Sequence, residues 1–301
     1  MEKVEGKVVV IQGPTASGKT SLAIAVAQKL GTEIISADSR QFYREMNIGT
    51  ATPTERELTQ VKHHFIHSHS IHSELTASQF AKEAKPILDQ LLQKNASAVI
   101  VGGSGMFVDA LTLGLDEIPH DISVQEKYSL IHQQEGIVAL QEKLIELDPV
   151  YFQQVDQQNP VRLIRALEVI ELSGVPYSSL RKGNRTQQYD VARFFIDWKR
   201  EELYDRIDTR VDQMLMDGLL DEAKSLFQHR HLKALNTVGY RELFDYWENH
   251  YSYAEAVEKI KQHTRNYAKR QITWLKRYSD VHSLNPYGMK SILSQLQENL
   301  D

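Results

Sequence analysis

Lys7-Val8-Val9-Val10-Ile11-Gln12-Gly13-Pro14-Thr15-Ala16-Ser17-Gly18-Lys19-Thr20 settles the architecture of this chain. Its first half is a short β-branched run stopped by glycine, which reads as a buried strand. Its second half, Gly13 to Thr20, fits G-x-x-x-x-G-K-[ST] and leads into a helix over Ser17 to Leu30, with apolar Leu22, Ala23, Val26, Ala27 and Leu30. The Gly13-Pro14-Thr15-Ala16-Ser17-Gly18 turn lets backbone N–H groups curl into an anion-binding nest, and the helix start adds its positive dipole end. Lys19 then reaches the terminal phosphates, and the Thr20 hydroxyl is a ligand for Mg²⁺. The motif specifies a bound diphosphate or triphosphate without specifying ATP.

The flanking sequence repeats the pattern. Glu33 to Ser36 reads as a second strand, Thr76 to Asn95 as a helix and Ala98 to Val101 as a third strand closed by Gly102-Gly103. Strands alternating with helices imply βαβ units and a parallel sheet, so the fold expected is an α/β core of the P-loop NTPase type. The pattern changes after Leu115. Asp116 to Asp148 holds eight acidic residues and two lysines in helical pieces (Val124 to Gln134, Val138 to Leu147), and Val161 to Leu172 forms a further helix. Strand character returns at Tyr189 to Asp197. Helices then follow over Glu201 to Met216, Leu219 to Gln228 and Tyr253 to Tyr278. The expected organisation is a core of residues 1–115 and 189–301 with a small all-helical insertion at 116–188.

The absence of cysteine excludes disulfides, thiolate metal sites and thiol nucleophiles, and suits a reducing, cytoplasmic setting. The longest run of Val, Leu and Ile, Val8 to Ile11, is far too short to span a membrane, and Met1 to Gly6 lacks signal-peptide character. The net charge of −5 speaks against nucleic-acid binding only as an average. Lys259 to Arg277 carries seven Lys/Arg and no acidic residue, with Tyr267 and Trp274 seven apart on one helix face. Such a face suits single-stranded RNA loops, although core packing of the two aromatics accounts for their spacing equally well.

Asp38 follows the second strand, where ligands bind in a doubly wound sheet, and reads as a water-mediated Mg²⁺ holder, a general base or a turn residue. At this point a resemblance emerges. Ile34 to Tyr43, Met46-Asn47-Ile48-Gly49-Thr50-Ala51, His63-His64 and Val101 to Gly105 are similar to motifs of the bacterial tRNA dimethylallyltransferase (tRNA isopentenyltransferase) family. So are Arg162 to Glu168, Arg210-Val211-Asp212 with Gly218-Leu219, Gly239-Tyr240-Arg241-Glu242 and Thr264 to Trp274, in the same order. The chain departs from that pattern at Arg40, Thr52, His67 and Ser104, where Ser104 keeps the usual hydroxyl.

The resemblance implies transfer of a dimethylallyl group from dimethylallyl diphosphate to the N6 amine of the adenine next to the tRNA anticodon, releasing pyrophosphate. It implies tRNA and the allylic diphosphate as partners and Mg²⁺ as cofactor; the sequence shows no membrane segment and makes no obligate protein partner evident. The catalytic set expected is Lys19 and Thr20 on the leaving group, Asp38 as proton acceptor and Arg241 on the far side of the diphosphate. Asp38, Ser39, Arg40, Gln41, Ser104, Arg162, Arg165, Tyr240, Arg241, Tyr267, Lys269, Arg270 and Trp274 are the expected tRNA contacts, and Thr15 and Ser104 line the channel. Five histidines between His63 and His72 invite a zinc reading, but no cysteine or adjacent carboxylate completes a site, and the resemblance puts a plain loop there. A small-metabolite kinase would share the phosphate loop and Asp38 without needing the basic helix. A nucleotide-switched RNA-binding protein would need the helix but not Asp38.

Overall fold

The computed structural model describes residues 5–73, 75–115, 118–181, 188–287 and 293–294. Strands β1 (Lys7–Gln12), β2 (Ile34–Ser36), β3 (His63–His64), β4 (Ser97–Gly102), β5 (Asp190–Ile196) and β6 (Val281–Leu284) form one sheet in the order β3-β2-β4-β1-β5-β6. Every neighbouring pair is parallel. The inner strands β1 and β4 are buried along almost their whole length, which is why they read as continuous apolar runs rather than as alternation. Gln12 lies opposite both Gly102 and Phe195, and Ser36 opposite Val101, so β1, β2, β4 and β5 end nearly level. That common carboxyl edge is where open α/β sheets bind ligands.

Around the sheet lie α1 (Lys19–Leu30), α2 (Glu55–Leu58), α3 (Ala77–Asn95) and α4 (Gly105–Thr112). Helix α1 begins at Lys19, two residues later than the sequence suggests, because Gly18 takes the left-handed conformation at φ 93°. Leu22, Ala23, Val26 and Ala27 of α1 pack on Val9, Ile11 and Val99 of the sheet. Two strands have no sequence signal. β3 is only two residues long, in a segment expected to be loop, and β6 is a four-residue edge strand that pairs with β5. Helix α4 has no clear signal either, since Gly102-Gly103 reads as a stop while Ser104 in fact occupies the α4 N-cap position.

The chain divides into two compact units, residues 1–114 with 187–301 and residues 115–186. The second unit is helical: α5 (Ile122–Glu135), α6 (Ile137–Leu147), α7 (Pro149–Gln154), α8 (Pro160–Ser173) and α9 (Tyr177–Leu180). Its core joins Tyr128, Leu140, Leu144, Leu163 and Leu167. Asp121, Asp148 and Asn159 each cap a helix by accepting a backbone N–H. Buried Glu168 is paired within the unit with Arg165 at 2.8 Å and hydrogen-bonded to His120 at 2.5 Å.

The first unit continues after β5 with α10 (Arg200–Met216), α11 (Leu219–Leu226), α12 (Tyr240–Trp247) and α13 (Tyr253–Leu275). They share a core of Val211, Leu219, Tyr240, Leu243, Phe244 and Ile260. A Ser252–Glu255 capping box starts α13. No helix among the described residues is long and apolar enough to cross a membrane.

Candidate active site at the carboxyl edge of the sheet

A cleft of about 1230 Å³ opens at the carboxyl edge, lined by the phosphate loop, Ser36, residues 38–41 and 47–55, and the inner faces of α10 and α13. The loop is shaped from behind. The Arg206 Nε donates to the Ala16 carbonyl at 2.8 Å, and the Trp198 indole N–H donates to the Ser17 carbonyl at 2.9 Å. Arg206 also stacks on Trp198, 4.3 Å from its ring. With those carbonyls held by side chains and Ala16 at φ 62°, the loop is fixed in the curl of an anion nest. Gln271 of α13 accepts from the Thr15 amide at 2.9 Å and donates to the Gly103 carbonyl at 3.0 Å, tying the loop to the end of β4.

Lys19 donates to the Pro14 carbonyl at 2.6 Å. Burial pushes its pKa down to about 8; Asp38 opposes that shift, and the Arg210 charge adds to it. Arg210 is likewise shifted down by burial, again opposed by Asp38. Its Nη2 donates to the Ala51 carbonyl at 3.4 Å. The cleft thus sets two cations, Lys19 and Arg210, near the carboxylate of Asp38. An Oδ1 of Asp38 accepts from the Arg40 amide at 3.2 Å, a local turn contact that leaves the other oxygen for the cleft.

Arg210 belongs to a recognisable motif, yet nothing local in the sequence assigns it a role. The reason is distance: α10 brings it to the phosphate loop from far along the chain. Arg241, expected on the diphosphate, lines the cleft but bonds buried Glu242 at 2.9 Å, beside His263. Its charge answers Glu242, so the guanidinium facing Lys19 and Asp38 is that of Arg210.

Among the expected tRNA contacts, Ser39, Gln41, Ser104, Tyr267 and Arg270 line the cleft. Burial, then the nearby Asp38 charge, raises the Tyr267 phenol well above its ordinary range, and Arg270 lies over its ring at 5.6 Å. The Gln41 amide N–H groups are committed to the carbonyls of Thr50 and Ala51. Lys269 is exposed beside Arg270 on α13. Trp274 lies outside the cleft lining, bonds the Tyr278 hydroxyl at 3.1 Å and carries Arg277 over its ring. Seven residues of helix rise about 10.5 Å, which separates it from Tyr267. One expectation needs correcting: Tyr240 is fully buried with its hydroxyl on Glu222 at 2.6 Å, so it faces the core and not RNA. Arg40 lines the cleft, and its guanidinium also reaches the Ala234 carbonyl at 2.9 Å, strapping the 3₁₀ turn at 233–236. Arg162 is exposed at the start of α8, whereas Arg165 is held by Glu168 and by the Pro119 carbonyl at 2.9 Å.

Among the described residues, Thr20 and Asp38 supply hard oxygen donors facing the cleft, and the buried Ser17 hydroxyl has no partner; this donor set fits Mg²⁺. The histidine run does not gather into a metal site. His64 pairs with Glu33 at 2.6 Å, His69 with Glu83 at 3.4 Å, and His72 meets His229 edge to face. His63 and His67 line the cleft with buried, unpartnered Nε2 atoms. The three-ligand cluster found among the described residues, Asp245, Glu248 and His250, lies elsewhere, and its Glu248 pairs with Arg230.

A family model described as IPP transferase matches residues 41–278, and one described as the TIP49 P-loop domain matches residues 1–48. The tRNA dimethylallyltransferase 1 of Bacteroides fragilis is 41% identical over 295 residues, covering 97% of this chain and 98% of that protein. The tRNA dimethylallyltransferase of Flavobacterium psychrophilum is 46% identical over 277 residues, covering 89% and 90%. A crystal structure of a tRNA isopentenylpyrophosphate transferase from Bacillus halodurans superposes with a TM-score of 0.71 at 32% identity, over 98% of each chain. A eukaryotic dimethylallyltransferase acting on tRNA gives a TM-score of 0.79 at 25% identity, over 98% of this chain and 76% of that one.

Proposed function

The chain belongs to the IPP transferase family, and on that premise we propose how its cleft carries out tRNA dimethylallylation. The protein is a transferase that modifies tRNA. The donor is dimethylallyl diphosphate and the acceptor is the N6 amine of an adenine in the anticodon loop. The amine nitrogen attacks C1 of the allylic chain, the C1–O bond breaks, and pyrophosphate departs with the bonding electrons. A proton leaves the nitrogen for Asp38. The observation that carries this reading is the juxtaposition of Lys19 and Arg210 with Asp38 in one cleft behind a phosphate nest.

Each group has a definite task. Negative charge develops on the leaving diphosphate, and the loop amides, Lys19 and Arg210 are already in place to meet it, so little reorganisation accompanies bond breaking. Asp38 first orients N6 by accepting its hydrogen bond and then takes its proton. Mg²⁺, held with the Thr20 hydroxyl among its ligands, would supply further positive charge on the diphosphate. The target adenine must leave its stack to enter the cleft. Tyr267 offers it a face, and Lys269 and Arg270 offer the backbone a cationic grip. In their own unit, exposed Arg162 and the neighbouring Arg165 are further candidates for the RNA backbone.

The test is direct. Protein incubated with unmodified tRNA and radiolabelled dimethylallyl diphosphate should place label on an anticodon-loop adenine, and chelating Mg²⁺ should slow that transfer. Label moving instead from γ-labelled ATP to any acceptor would overturn the reading in favour of a kinase.

A further inference from the structure

Outside the cleft, α11 carries a carboxylate with an unusual set of partners. Glu222 Oε2 accepts the amides of Asn47 at 2.9 Å and Ile48 at 2.8 Å. Its Oε1 accepts the amide of Gly49 at 2.9 Å and the hydroxyl of Tyr240 at 2.6 Å. Three successive backbone N–H groups converging on one anion form a nest, the device by which a loop grips a phosphate. Here a side chain from the same protein fills it.

The loop held this way is part of the cleft wall, whereas Glu222 itself does not line the cleft. Its next residues reach the reacting groups. The Ala51 carbonyl accepts from Arg210 at 3.4 Å and from Gln41 at 3.1 Å. Ala51 is in the left-handed region at φ 48°, and the Thr50 hydroxyl bonds the Met46 carbonyl at 2.9 Å, so the turn is tightly specified. Gly49 also meets the Tyr240 ring: a Cβ there would lie 2.6 Å from ring atoms, so only glycine lets the loop close on the tyrosine.

We propose that Glu222, seated with Tyr240, is a positioning residue for donor binding: by anchoring residues 47–49 it sets the Ala51 carbonyl that aims Arg210 at the diphosphate. This rests on the function proposed above and adds to it a residue outside the cleft. Arg210 is a long side chain that has lost much of its hydration. Without a fixed carbonyl it would sample other rotamers, and the diphosphate would have to order it on binding.

The experiment compares wild type, Glu222→Gln and Tyr240→Phe. The glutamine keeps the shape but turns an N–H₂ toward backbone N–H groups. Tyr240→Phe keeps the ring against Gly49 and removes one of the four donors. Steady-state transfer gives KM for each substrate, and titration calorimetry with inorganic pyrophosphate reads the phosphate site without any transfer. The expected result for Glu222→Gln is a KM for dimethylallyl diphosphate and a Kd for pyrophosphate raised about tenfold, the scale of one charge-assisted hydrogen bond. The KM for tRNA should stay within about twofold, and Tyr240→Phe should move the same two constants in the same direction by less. Unchanged donor KM and pyrophosphate Kd in both variants would overturn the proposal, even with a lowered Tm. So would a parallel rise in the KM for tRNA. If Glu222→Gln fails to fold, Tyr240→Phe alone decides. A wild-type protein that binds pyrophosphate but transfers no prenyl group would refute the proposed function, while the effect of the variants on pyrophosphate Kd would still judge the role of Glu222.

Discussion

The strand–loop–helix at residues 7–30 and the helical layer at 200–275 face the same cleft but deliver their functional groups in opposite ways. In the first, Lys19, Thr20 and the loop amides are contiguous, and their geometry follows from a strand end, two left-handed residues and a helix start. In the second, Arg206, Arg210, Tyr267 and Gln271 come from two helices and reach the cleft only when the tertiary core has formed. The first region's groups are adjacent in sequence, with Arg206, Trp198 and Gln271 bracing the loop from outside, whereas the second region's groups come together only in the tertiary fold. A change in the first should therefore act on chemistry directly. A change in the second should act on affinity, because its groups aim or brace what the loop holds.

The heaviest loss falls on the contiguous region. Lys19→Ala should lower transfer by at least about 10²–10³-fold, the range for deleting one preorganised charge donor. Far-UV circular dichroism should remain native, since the ammonium is no part of the core. Next comes a contrast within the assembled region. Arg210→Ala should weaken pyrophosphate binding by about 10–100-fold, as expected for losing a charged hydrogen-bonding group. Arg241→Ala should leave that affinity within about threefold and lower Tm instead, because it strips a partner from buried Glu242. Equal effects of the two on calorimetric affinity would erase the distinction drawn between them.

The pH dependence follows from the lowered Lys19 pKa. The charged lysine attracts the diphosphate, and in the free protein that charge is lost as pH rises through about 8. Pyrophosphate affinity should accordingly fall between pH 7 and pH 9, approaching about tenfold per unit above the pKa. Lys19→Arg, which stays charged, should flatten the profile. The smallest effect belongs to the exposed rim. Reversing charge at Lys269 or Arg270 should lower the slope of log affinity for tRNA against log salt by about 0.7–0.9 for each phosphate that the helix no longer neutralises. An unchanged slope would put that face of α13 in solvent.

The same contrast explains which parts are legible in the sequence. β1, the phosphate loop and α1 show there because local periodicity and a spaced motif encode them, and the parallel sheet follows from their repetition. β3 and β6 do not show, because strands of two and four residues exist through their pairing with β2 and β5. Arg241 reads as catalytic because it sits in a charged motif, and only the fold reveals buried Glu242 as its partner. Tyr240 reads as an RNA contact because an aromatic beside arginine is the usual signal, and only packing shows its hydroxyl buried on Glu222. Gln271 and Arg210 carry no local signal of their roles. Each acts across a long stretch of chain, on Thr15 and Gly103 for Gln271 and on Ala51 for Arg210.

Asp38, at the end of β2 among these cations, is the proposed receiver of the adenine amine's proton. The most direct test is the single-turnover transfer rate of Asp38→Asn, measured alongside its affinities for tRNA and pyrophosphate. Asparagine keeps the size and still accepts a hydrogen bond from N6, but it does not take the proton. The predicted result is a fall of about 10²–10⁴-fold in the chemical step with both affinities within about threefold of wild type. A single-turnover rate close to wild type, or a loss that appears only as weaker pyrophosphate binding and recovers with added Mg²⁺, would contradict that role for Asp38.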